Sequence, residues 1–424
     1  MSAVESHLIR SVSDIDLSNL EVFVDGAPWD DFDYLRRHAP VHWNPEPAPN
    51  HGFWSITRHA DVLAVDRDAA TFSSERGAVG LEELDDEQLE SRKSMIDMDG
   101  VRHAALRRLL QGDFTPRSLD GYETFLRGLT ATTLDAALAK GEFDFVTEVS
   151  ADFPIRVLAR LLSVPDDDTD MLIHWGNKMF ANTDPDYTDV LADSPESEPY
   201  RLLPFRSPAG QEAFDYGRRL ALERRGGAGT DLVSKLVNQT PRDGIPLSDR
   251  DFDNYFVLLM VAGNETTRHA ISHTMLALAT DKNQFHLLKE RPALITVAVE
   301  EFLRWSTPIY RFRRTAMRDV EMRGQKIRDG DKVVMWFAAA NRDETVFEDP
   351  YRFDVTRSPN EHLTFGKGGP HFCLGAWLAR LELRVMFEEL LARVDDVELT
   401  GTVAHVRSNF INGIKSMPVR VSPT

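Results

Sequence analysis

The residue with the clearest potential for chemistry is Cys373, the only cysteine among 424 residues. A lone cysteine cannot form an intrachain disulfide or a Cys-x-x-Cys redox pair, so it is an inert core thiol, a nucleophile or a single metal ligand. It lies in a glycine-rich loop at residues 365–375, and a strongly apolar segment follows directly. That segment predicts a helix, so the thiol lies near a helix N-terminus, where free N–H groups favour a thiolate.

The glycines at positions 366, 368, 369 and 375 favour the third possibility. They would let the backbone pass close to a flat, rigid group while its N–H groups point at the sulfur. The order Phe-Gly-Lys-Gly-Gly-Pro-His-Phe-Cys-Leu-Gly resembles the haem-binding loop of the cytochrome P450 family, in which the cysteine is the axial iron ligand. Phe365 lies eight residues before Cys373, one more than in the commoner family pattern. This longer form is similar to a bacterial subgroup that oxidises sterol side chains and methyl-branched lipids.

A second signal interrupts the apolar helical pattern over residues 253–278, where Ala-Gly-Asn-Glu-Thr-Thr-Arg occupies positions 262–268. An acid and two hydroxyls in so apolar a segment are costly unless they are used. Dioxygen cleavage consumes two protons inside a dry pocket, so a carboxylate and a hydroxyl form a plausible relay. The resemblance places the catalytic acid–threonine pair of the family at Glu265 and Thr266. The alternative is a helix kink, held by a threonine bonded one turn back and by a Glu265–Arg268 pair.

Two basic residues are candidates for binding the carboxylates of such a cofactor. His103 and Arg107 lie four apart in a pattern that predicts a helix over residues 99–110, so both side chains share one face. The resemblance implies that they bind a haem propionate. A basic helix on the protein surface is the alternative.

The resemblance also implies that Arg314 binds a propionate, with Arg311 and Arg313 as close competitors. His371, two residues before the cysteine, either binds the other propionate or caps the loop. The complete set of predicted cofactor contacts is Cys373, which is also the metal ligand, His103, Arg107, Arg314, His371, Phe365, Gly366, Ala262 and Gly375.

A third motif, Glu301-x-x-Arg304, is weak by itself because the same spacing occurs at two other places in the chain. Its position, on a predicted amphipathic helix over residues 293–305 ahead of the cysteine loop, makes it distinctive. The resemblance pairs both residues with Arg357 in a buried charge network that fixes the loop beneath the haem. We interpret this network as support for the cofactor site and not as part of the reaction.

An almost wholly apolar set of residues is predicted to line the substrate space, and such a lining selects a ligand by shape and apolar area. The resemblance assigns the cover of this space to residues 171–214, for which a loosely packed loop region is the alternative. A turn over residues 409–414 is expected to reach back to the substrate. The predicted lining consists of Tyr255, Leu258, Leu259, Ala262, Ile309, Tyr310, Phe312, Phe410 and Ile411.

The composition, 42% hydrophobic and 28% charged, describes an ordinary globular protein. A β-hairpin is predicted over residues 40–57, and helical periodicity prevails after it. No low-complexity linker or internal repeat divides the chain. The resemblance covers residues 29–421 and implies a mainly α fold with minor β-sheet. It implies a single haem-thiolate monooxygenase domain over residues 1–424, with haem between the central helix and the helix after the cysteine loop.

The net charge limits the possible partners of the protein, and the pattern of apolar residues limits its possible location. The net charge of −19 argues against nucleic acid or an anionic membrane surface as a partner. Neither a signal-peptide pattern in the first residues nor an apolar run of about 20 residues occurs, which predicts a cytoplasmic protein. A monomer is expected.

These observations lead to one hypothesis and two alternatives. The hypothesis is a monooxygenase that contains haem b and hydroxylates a lipophilic substrate: a terpenoid, a steroid or a branched-chain lipid. A haem-thiolate peroxygenase or isomerase is the first alternative, but it would have no use for the pair Glu265 and Thr266. A non-catalytic haem sensor is the second, but no signalling domain is visible.

The electrons for this reaction must come from another protein, because the chain has no Gly-x-Gly-x-x-Gly fingerprint and no set of cluster cysteines. The hypothesis therefore implies a ferredoxin or flavodoxin with an NAD(P)H-dependent reductase. Its docking surface is expected to be a basic patch on the cysteine side of the protein, formed by Arg107, Arg108, Lys367 and Arg380.

Overall fold

The longest helix of the protein spans Asp249–Thr280 in the computed structural model, which describes residues 11–424. Ser248 fixes its start, because the Ser248 hydroxyl accepts the backbone N–H of Asp251 (3.0 Å) while the Asp251 carboxylate accepts the N–H of Ser248 (2.9 Å). The sequence predicted this helix over residues 253–278, and the capping box extends it by one turn at the N-terminus. Most of its side chains are buried.

Several of the other helices pack directly against this one. The described residues form α1 Trp29–His38, α2 His59–Arg67, α3 Asp86–Arg92, α4 Gly100–Leu110, α5 Pro116–Leu119, α6 Glu123–Leu138, α7 Asp152–Leu162, α8 Thr169–Phe180, α9 Pro208–Arg224, α10 Leu232–Asn238, α11 Asp249–Thr280, α12 Lys282–Glu290, α13 Ile295–Ser306, α14 Phe337–Ala340 and α15 Ala376–Arg393. Helices α7, α8, α9, α13 and α15 all contact α11. None of the helices in the described part of the chain is long and apolar enough to cross a membrane.

The strands form one main sheet and three small ones. They are β1 Val41–Asn44, β2 Phe53–Ile56, β3 Phe72–Ser73, β4 Glu142–Asp144, β5 Arg311–Ala316, β6 Val320–Met322, β7 Gln325–Ile327, β8 Lys332–Trp336, β9 Val394–Leu399, β10 Ala404–His405, β11 Ile414–Ser416 and β12 Pro418–Pro423. The main sheet has the order β1-β2-β8-β5-β3, and only β2 and β8 pair in parallel. The hairpin predicted over residues 40–57 is confirmed as β1 and β2. The predicted mainly α fold with minor β-sheet is also confirmed.

The buried apolar residues form three clusters, and the largest one surrounds α11. The two smaller clusters lie on opposite faces of the main sheet, because successive side chains of a strand point to opposite sides. In β8, Val334 and Trp336 belong to one of them, while Val333 and Met335 belong to the other. Residues 1–7, on which the predicted absence of a signal peptide partly rests, lie outside the described residues.

The region 171–214, which the sequence left without a defined conformation, consists of α8, the first turns of α9 and a connection at residues 181–207. We call this connection the cover segment. Arg206 in the cover segment pairs with Glu82 (3.1 Å) and with Glu198 (2.7 Å). Arg92 of α3 pairs with the same Glu82. The Arg206–Glu82 pair joins the cover segment to residues 82–92, as does the pair between Arg201 and Asp85 (3.0 Å), so the region is anchored rather than loosely packed.

Candidate active site

The cysteine loop lies against the C-terminal end of α2. The Asp66 carboxylate accepts the backbone N–H of Lys367 (3.0 Å), and the Arg67 guanidinium donates to the Lys367 carbonyl (2.9 Å). A Cβ at Gly369 would lie 2.3 Å from the carbonyl oxygen of Asp66, and one at Gly366 would lie 3.0 Å from its carboxylate. Gly366 also has a φ of +70°, which side-chain-bearing residues rarely adopt. These two glycines make room for α2. The sequence suggested a different reason, namely the close approach of the backbone to a flat, rigid group.

Cys373 belongs to this loop and lies three residues before α15 begins at Ala376. The backbone N–H of Cys373 donates to the carbonyl of Phe365 (2.9 Å), and the Phe365 ring packs against the Arg380 guanidinium (4.7 Å). Burial raises the pKa of the Cys373 thiol, and the backbone N–H of Gly375 and the charges of Arg107 and Arg380 offset only part of this rise. The N–H group at the helix start therefore favours the thiolate, as the sequence predicted, but burial outweighs this effect in the protein alone. Metal binding would have to displace the proton.

The middle of α11 exposes one strip of an otherwise buried helix. Leu258, Leu259 and Thr266 are half-buried and Ala262 is exposed, whereas Val261 beside them is buried. Residues three and four apart lie on one helix face, so the four side chains form a single surface. This surface is apolar except for one hydroxyl, which suits contact with the face of a flat, apolar ring.

A cluster of basic side chains lies where α4 meets the cysteine loop. The rings of His103 and His371 are 4.3 Å apart between centroids, and His371 Nε2 is 2.9 Å from an Asp99 carboxylate oxygen. Arg107 donates to the carbonyl of Phe372 (2.5 Å). Burial, together with the positive charges of His371 and Arg107, lowers the pKa of His103 to about 4. The structure thus brings together three of the four predicted propionate ligands.

Arg314 is the member of its arginine group that belongs to this cluster. It is 3% exposed, its guanidinium is 3.7 Å from the Asp66 carboxylate, and its charge also lowers the pKa of His103. Arg311 and Arg313 turn to the chain around residue 80, where they donate to the carbonyls of Val79 (2.6 Å) and Glu82 (2.7 Å). The geometry therefore favours Arg314 over its two competitors.

The chemistry of these three surfaces fits haem b. Cys373 would supply one axial iron ligand, and the exposed strip of α11 would face the ring. The cations Arg107 and Arg314 would pair with the two propionates, because charge-assisted hydrogen bonds to carboxylates are the strong ones, and the rings of His103 and His371 would supply N–H donors beside them.

Glu265 and Thr266 point to different sides of α11. The Thr266 hydroxyl lies on the exposed strip and donates to the carbonyl of Ala262 (2.8 Å), which is the bond one turn back that the helix-kink alternative includes. Glu265 is 3% exposed, and its carboxylate is 3.5 Å from the Arg268 guanidinium. Burial acts to raise the pKa of Glu265, but Arg268 and His269 outweigh burial and hold this pKa below its usual value. Among the described residues, no hydrogen bond joins Glu265 to Thr266.

The charge network beneath the loop centres on Glu301. Glu301 and Arg304 are fully buried, and two nitrogens of Arg304 donate to the two carboxylate oxygens, each over 2.7 Å. Arg357 (3.2 Å), Asn360 (3.0 Å) and the backbone N–H of Asp354 (3.0 Å) donate to the same carboxylate. The predicted pairing of the three charged residues is present, and it ties α13 to the chain that leads into the cysteine loop.

A cavity of about 720 Å³ lies between α11, the cover segment and the turn at residues 408–410. Its apolar part is lined by Phe180, Phe205, Leu258, Val261 and Phe410. Arg311 lies at the polar part of the cavity, and its guanidinium donates to the side-chain oxygen of Asn409 (2.9 Å). Burial lowers the pKa of Arg311 to about 9. The lining is therefore less uniformly apolar than the sequence predicted.

The structure places the predicted lining residues at two depths. Leu258 and Phe410 line the cavity, and Leu259, Ile309 and Phe312 are half-buried nearby, with the rings of Phe312 and Phe410 5.8 Å apart. Ala262 is exposed on the strip of α11, and the last three lie behind the cavity wall, each at most 2% exposed: Tyr255, Tyr310 and Ile411. The Tyr255 hydroxyl donates to the carbonyl of Leu106 (3.3 Å), and the Tyr310 hydroxyl donates to Asn412 (2.9 Å).

Similarity to known proteins agrees with this geometry. Residues 284–399 match the family model described as Cytochrome P450. Over 417 residues the chain is 37% identical to a steroid C26-monooxygenase of Mycolicibacterium smegmatis, with 96% of this chain and 93% of that protein covered. The chain belongs to the cytochrome P450 family. This P450 is therefore a haem-thiolate monooxygenase whose cofactor is haem b, as the sequence analysis expected.

Two further relatives and one solved structure extend the comparison. A linalool 8-monooxygenase of Pseudomonas putida is 37% identical over 418 residues, covering 96% of this P450 and 99% of the relative. A methyl-branched lipid omega-hydroxylase of Mycobacterium tuberculosis is 37% identical over 423 residues, covering 96% and 95%. The solved structure of a Mycobacterium marinum cytochrome P450 in complex with pseudoionone has a TM-score of 0.84 and 39% identity, covering 92% of this P450 and 94% of that chain.

Sequence analysis missed several residues that shape this P450 site. Asp66 and Asp99 carry no local signal, because their partners Lys367 and His371 are distant in the chain. Glu382 could have been found, since it is an acid on the apolar helix after the cysteine loop. It is 2% exposed and accepts the Thr267 hydroxyl (3.1 Å), and burial raises the pKa of Glu382 to about 8.

Proposed function

We propose that this P450 hydroxylates a methyl-bearing terpenoid, steroid or branched-chain lipid, with Cys373 as the axial ligand of the haem iron. The observation that carries this proposal is the cavity of about 720 Å³ that ends on the exposed strip of α11 at Leu258. Aromatic and aliphatic side chains line most of that end, and burial of apolar area there favours a lipophilic ligand. Three relatives are named for activity on steroids, linalool and methyl-branched lipids, which are lipophilic and carry methyl groups.

The reaction consumes dioxygen, two electrons and two protons, and it gives an alcohol and water. Haem supplies the activation of dioxygen. The protein relays the protons, and we assign their last donor to the Thr266 hydroxyl, because it lies on the strip of α11 that would face the cofactor. To donate there, Thr266 must release the carbonyl of Ala262. We assign the proton source to the Glu265 carboxylate, which must turn from its buried side of α11 to serve Thr266.

A monooxygenase of this family needs a redox partner, and we propose a ferredoxin or flavodoxin with its NAD(P)H-dependent reductase. The predicted basic patch is not a free basic surface: Arg107 turns inward to the carbonyl of Phe372, Lys367 pairs with Glu361, and Arg380 pairs with Glu300. Only Arg108 of the four is exposed. Neighbouring acids therefore neutralise two of the four charges at this face.

We infer that the partner docks instead at a groove of about 560 Å³ beside the cysteine loop. Phe372, next to Cys373, lines this groove, and Trp377 beside it is 51% exposed. An exposed tryptophan is a common anchor of protein interfaces. The monomeric state, the single domain over residues 1–424 and the cytoplasmic location stay predictions of the sequence.

The substrate proposal is tested by a spectral-shift screen of the oxidised holoprotein against terpenes, steroids, branched fatty acids and sugars. We expect shifts towards the high-spin form from the first three classes only. Shifts from polar compounds alone would contradict the apolar cavity end as the substrate site.

The relay is tested with Thr266→Ala. This variant is expected to bind the compound found in the screen and to consume NAD(P)H, but to release most of the reducing equivalents as hydrogen peroxide. Thr266→Ser, which keeps the hydroxyl, is the matched control and is expected to retain coupling. A tightly coupled Thr266→Ala variant would remove Thr266 from the mechanism.

A further inference from the structure

Three hydrogen-bond donors surround the buried Glu265 carboxylate. Asn264 Nδ2 donates to Oε1 over 2.9 Å, while Arg268 Nη1 and His269 Nε2 each lie 3.5 Å from Oε2. Arg268 is shared, because its Nη1 also donates to Asn177 of α8 over 2.5 Å. For His269 Nε2, the Glu265 carboxylate is the one acceptor that the described residues provide.

The other ring nitrogen of His269 is already used. The backbone N–H of Ile414, the first residue of β11, donates to His269 Nδ1 over 3.3 Å. A ring nitrogen that accepts an N–H carries no proton of its own, so the proton of the neutral ring is on Nε2, which faces Glu265. The ring is 2% exposed, and burial lowers the pKa of His269 although the Glu265 carboxylate opposes this shift. His269 is thus a neutral imidazole with one fixed donor.

The turn that supplies the Ile414 N–H is held close to the ring. A Cβ at Gly413 would lie 2.5 Å from Val406 and 3.1 Å from Cε1 of His269, so only glycine allows this approach. The turn also meets the next histidine of α11, since His273 Nε2 is 3.0 Å from the carbonyl of Asn412. Two histidines one turn apart therefore contact the same chain segment, but only His269 reaches the acid.

We propose that His269 is a positioning residue for the reaction: its Nε2–H holds the Glu265 carboxylate in its buried orientation, in which that carboxylate takes up protons before it turns to serve Thr266. This inference rests on the proposed role of Glu265 as the proton source. Because Nδ1 is blocked by Ile414, the ring cannot carry a proton through and acts only by holding the acid. Loss of this donor leaves a buried carboxylate oxygen with Arg268 alone, which is shared with Asn177. The carboxylate then orients towards Arg268, and proton transfer from Glu265 to Thr266 becomes slower.

The test compares four variants of the holoprotein, supplied with redox partners and the compound that gives the largest spectral shift in the screen. They are His269→Leu, His269→Gln, His273→Leu and Glu265→Gln. We expect the fraction of NAD(P)H that ends as hydrogen peroxide to rise at least about twofold in His269→Leu and to return towards the wild-type fraction in His269→Gln, whose amide can donate from the place of Nε2. His273→Leu removes a second buried histidine of α11 (9% exposed) without touching Glu265, so it is expected to lower thermal stability and leave coupling unchanged.

A second readout does not depend on turnover. Histidine labelled with ¹⁵N in the reduced, carbon monoxide-bound protein, which is diamagnetic, reports the tautomer of each ring. We expect the His269 signals of a neutral ring protonated on Nε2. A ring protonated on Nδ1, or on both nitrogens, overturns the inference, as does uncoupling in His273→Leu that equals the uncoupling in His269→Leu.

The outcomes separate the inference from the proposed function. If Glu265→Gln is as tightly coupled as the wild type, Glu265 is not the proton source and the proposed relay fails. If Glu265→Gln is uncoupled while His269→Leu is not, the relay stands and the role of His269 alone is refuted.

Discussion

Replacement of Glu301 by glutamine is expected to be among the most destabilising changes of a single functional group in this protein. The carboxylate is fully buried and accepts hydrogen bonds from Arg304, Arg357, Asn360 and the backbone of Asp354. Glutamine keeps the shape but removes the charge, and it turns an N–H group towards donors that need an acceptor. Removal of one partner from a buried charge network costs about 3–5 kcal/mol. We therefore expect Glu301→Gln to lose about that much free energy of unfolding.

The matched control is Glu123→Gln, because Glu123 also accepts two arginines, Arg384 (2.6 Å) and Arg127 (2.8 Å), but its side chain is 35% exposed. An ion pair in contact with water contributes about 0.2–1 kcal/mol. Urea unfolding of both variants is followed by circular dichroism and by the carbon monoxide difference band, under identical conditions. Destabilisation of Glu301→Gln by no more than the control would show that the network is not a buried charge cluster in the folded protein.

Three further predictions concern the thiol, a buried acid and the cover segment. Cys373→Ala is expected to lose the Soret band that reduced, carbon monoxide-bound haem-thiolate proteins show, and a thiolate spectrum in this variant would exclude Cys373 as the ligand. Burial raises the pKa of Glu382 from 4.5 to about 8, so its contribution to stability is complete below pH 4.5 and is lost as the pH rises through 8. The urea midpoint of the wild type is expected to fall more between pH 5 and pH 9 than that of Glu382→Gln, and parallel pH profiles would mean that Glu382 is ionised in the folded protein. Arg206→Gln, which breaks the pairs with Glu82 and Glu198, is expected to speed substrate association in stopped-flow spectral shifts with little change in melting temperature, and unchanged association would deny the cover segment a gating role.

Features that depend on neighbours in sequence could be predicted from the sequence. The cysteine loop, the Glu265–Thr266 motif and the β1–β2 hairpin are short patterns in which each residue type has a local physical reason. The bond from Thr266 to the carbonyl of Ala262 is of this kind, since it spans one helical turn.

Features that depend on distant packing could not be predicted. Burial decided the pKa of Cys373 against the local effect of the helix start. The partners of Glu265, Arg268 and His269, are themselves bonded to Asn177 and Ile414, which come from other elements. Tyr255 and Tyr310 have suitable residue types for the cavity lining, but buried hydrogen-bond partners hold them behind the wall.

The contact between Asp66 and the cysteine loop also affects how the protein matures. It joins residues 301 positions apart in the chain, and such distant contacts form late because closure of a long loop costs entropy before any contact stabilises it. Gly366 and Gly369 have their folded neighbours only after α2 has reached the loop. In a newly synthesised chain, the thiol of Cys373 is therefore present before the cysteine loop has packed against α2. We therefore expect cofactor capture to follow global folding in this protein and not to guide it.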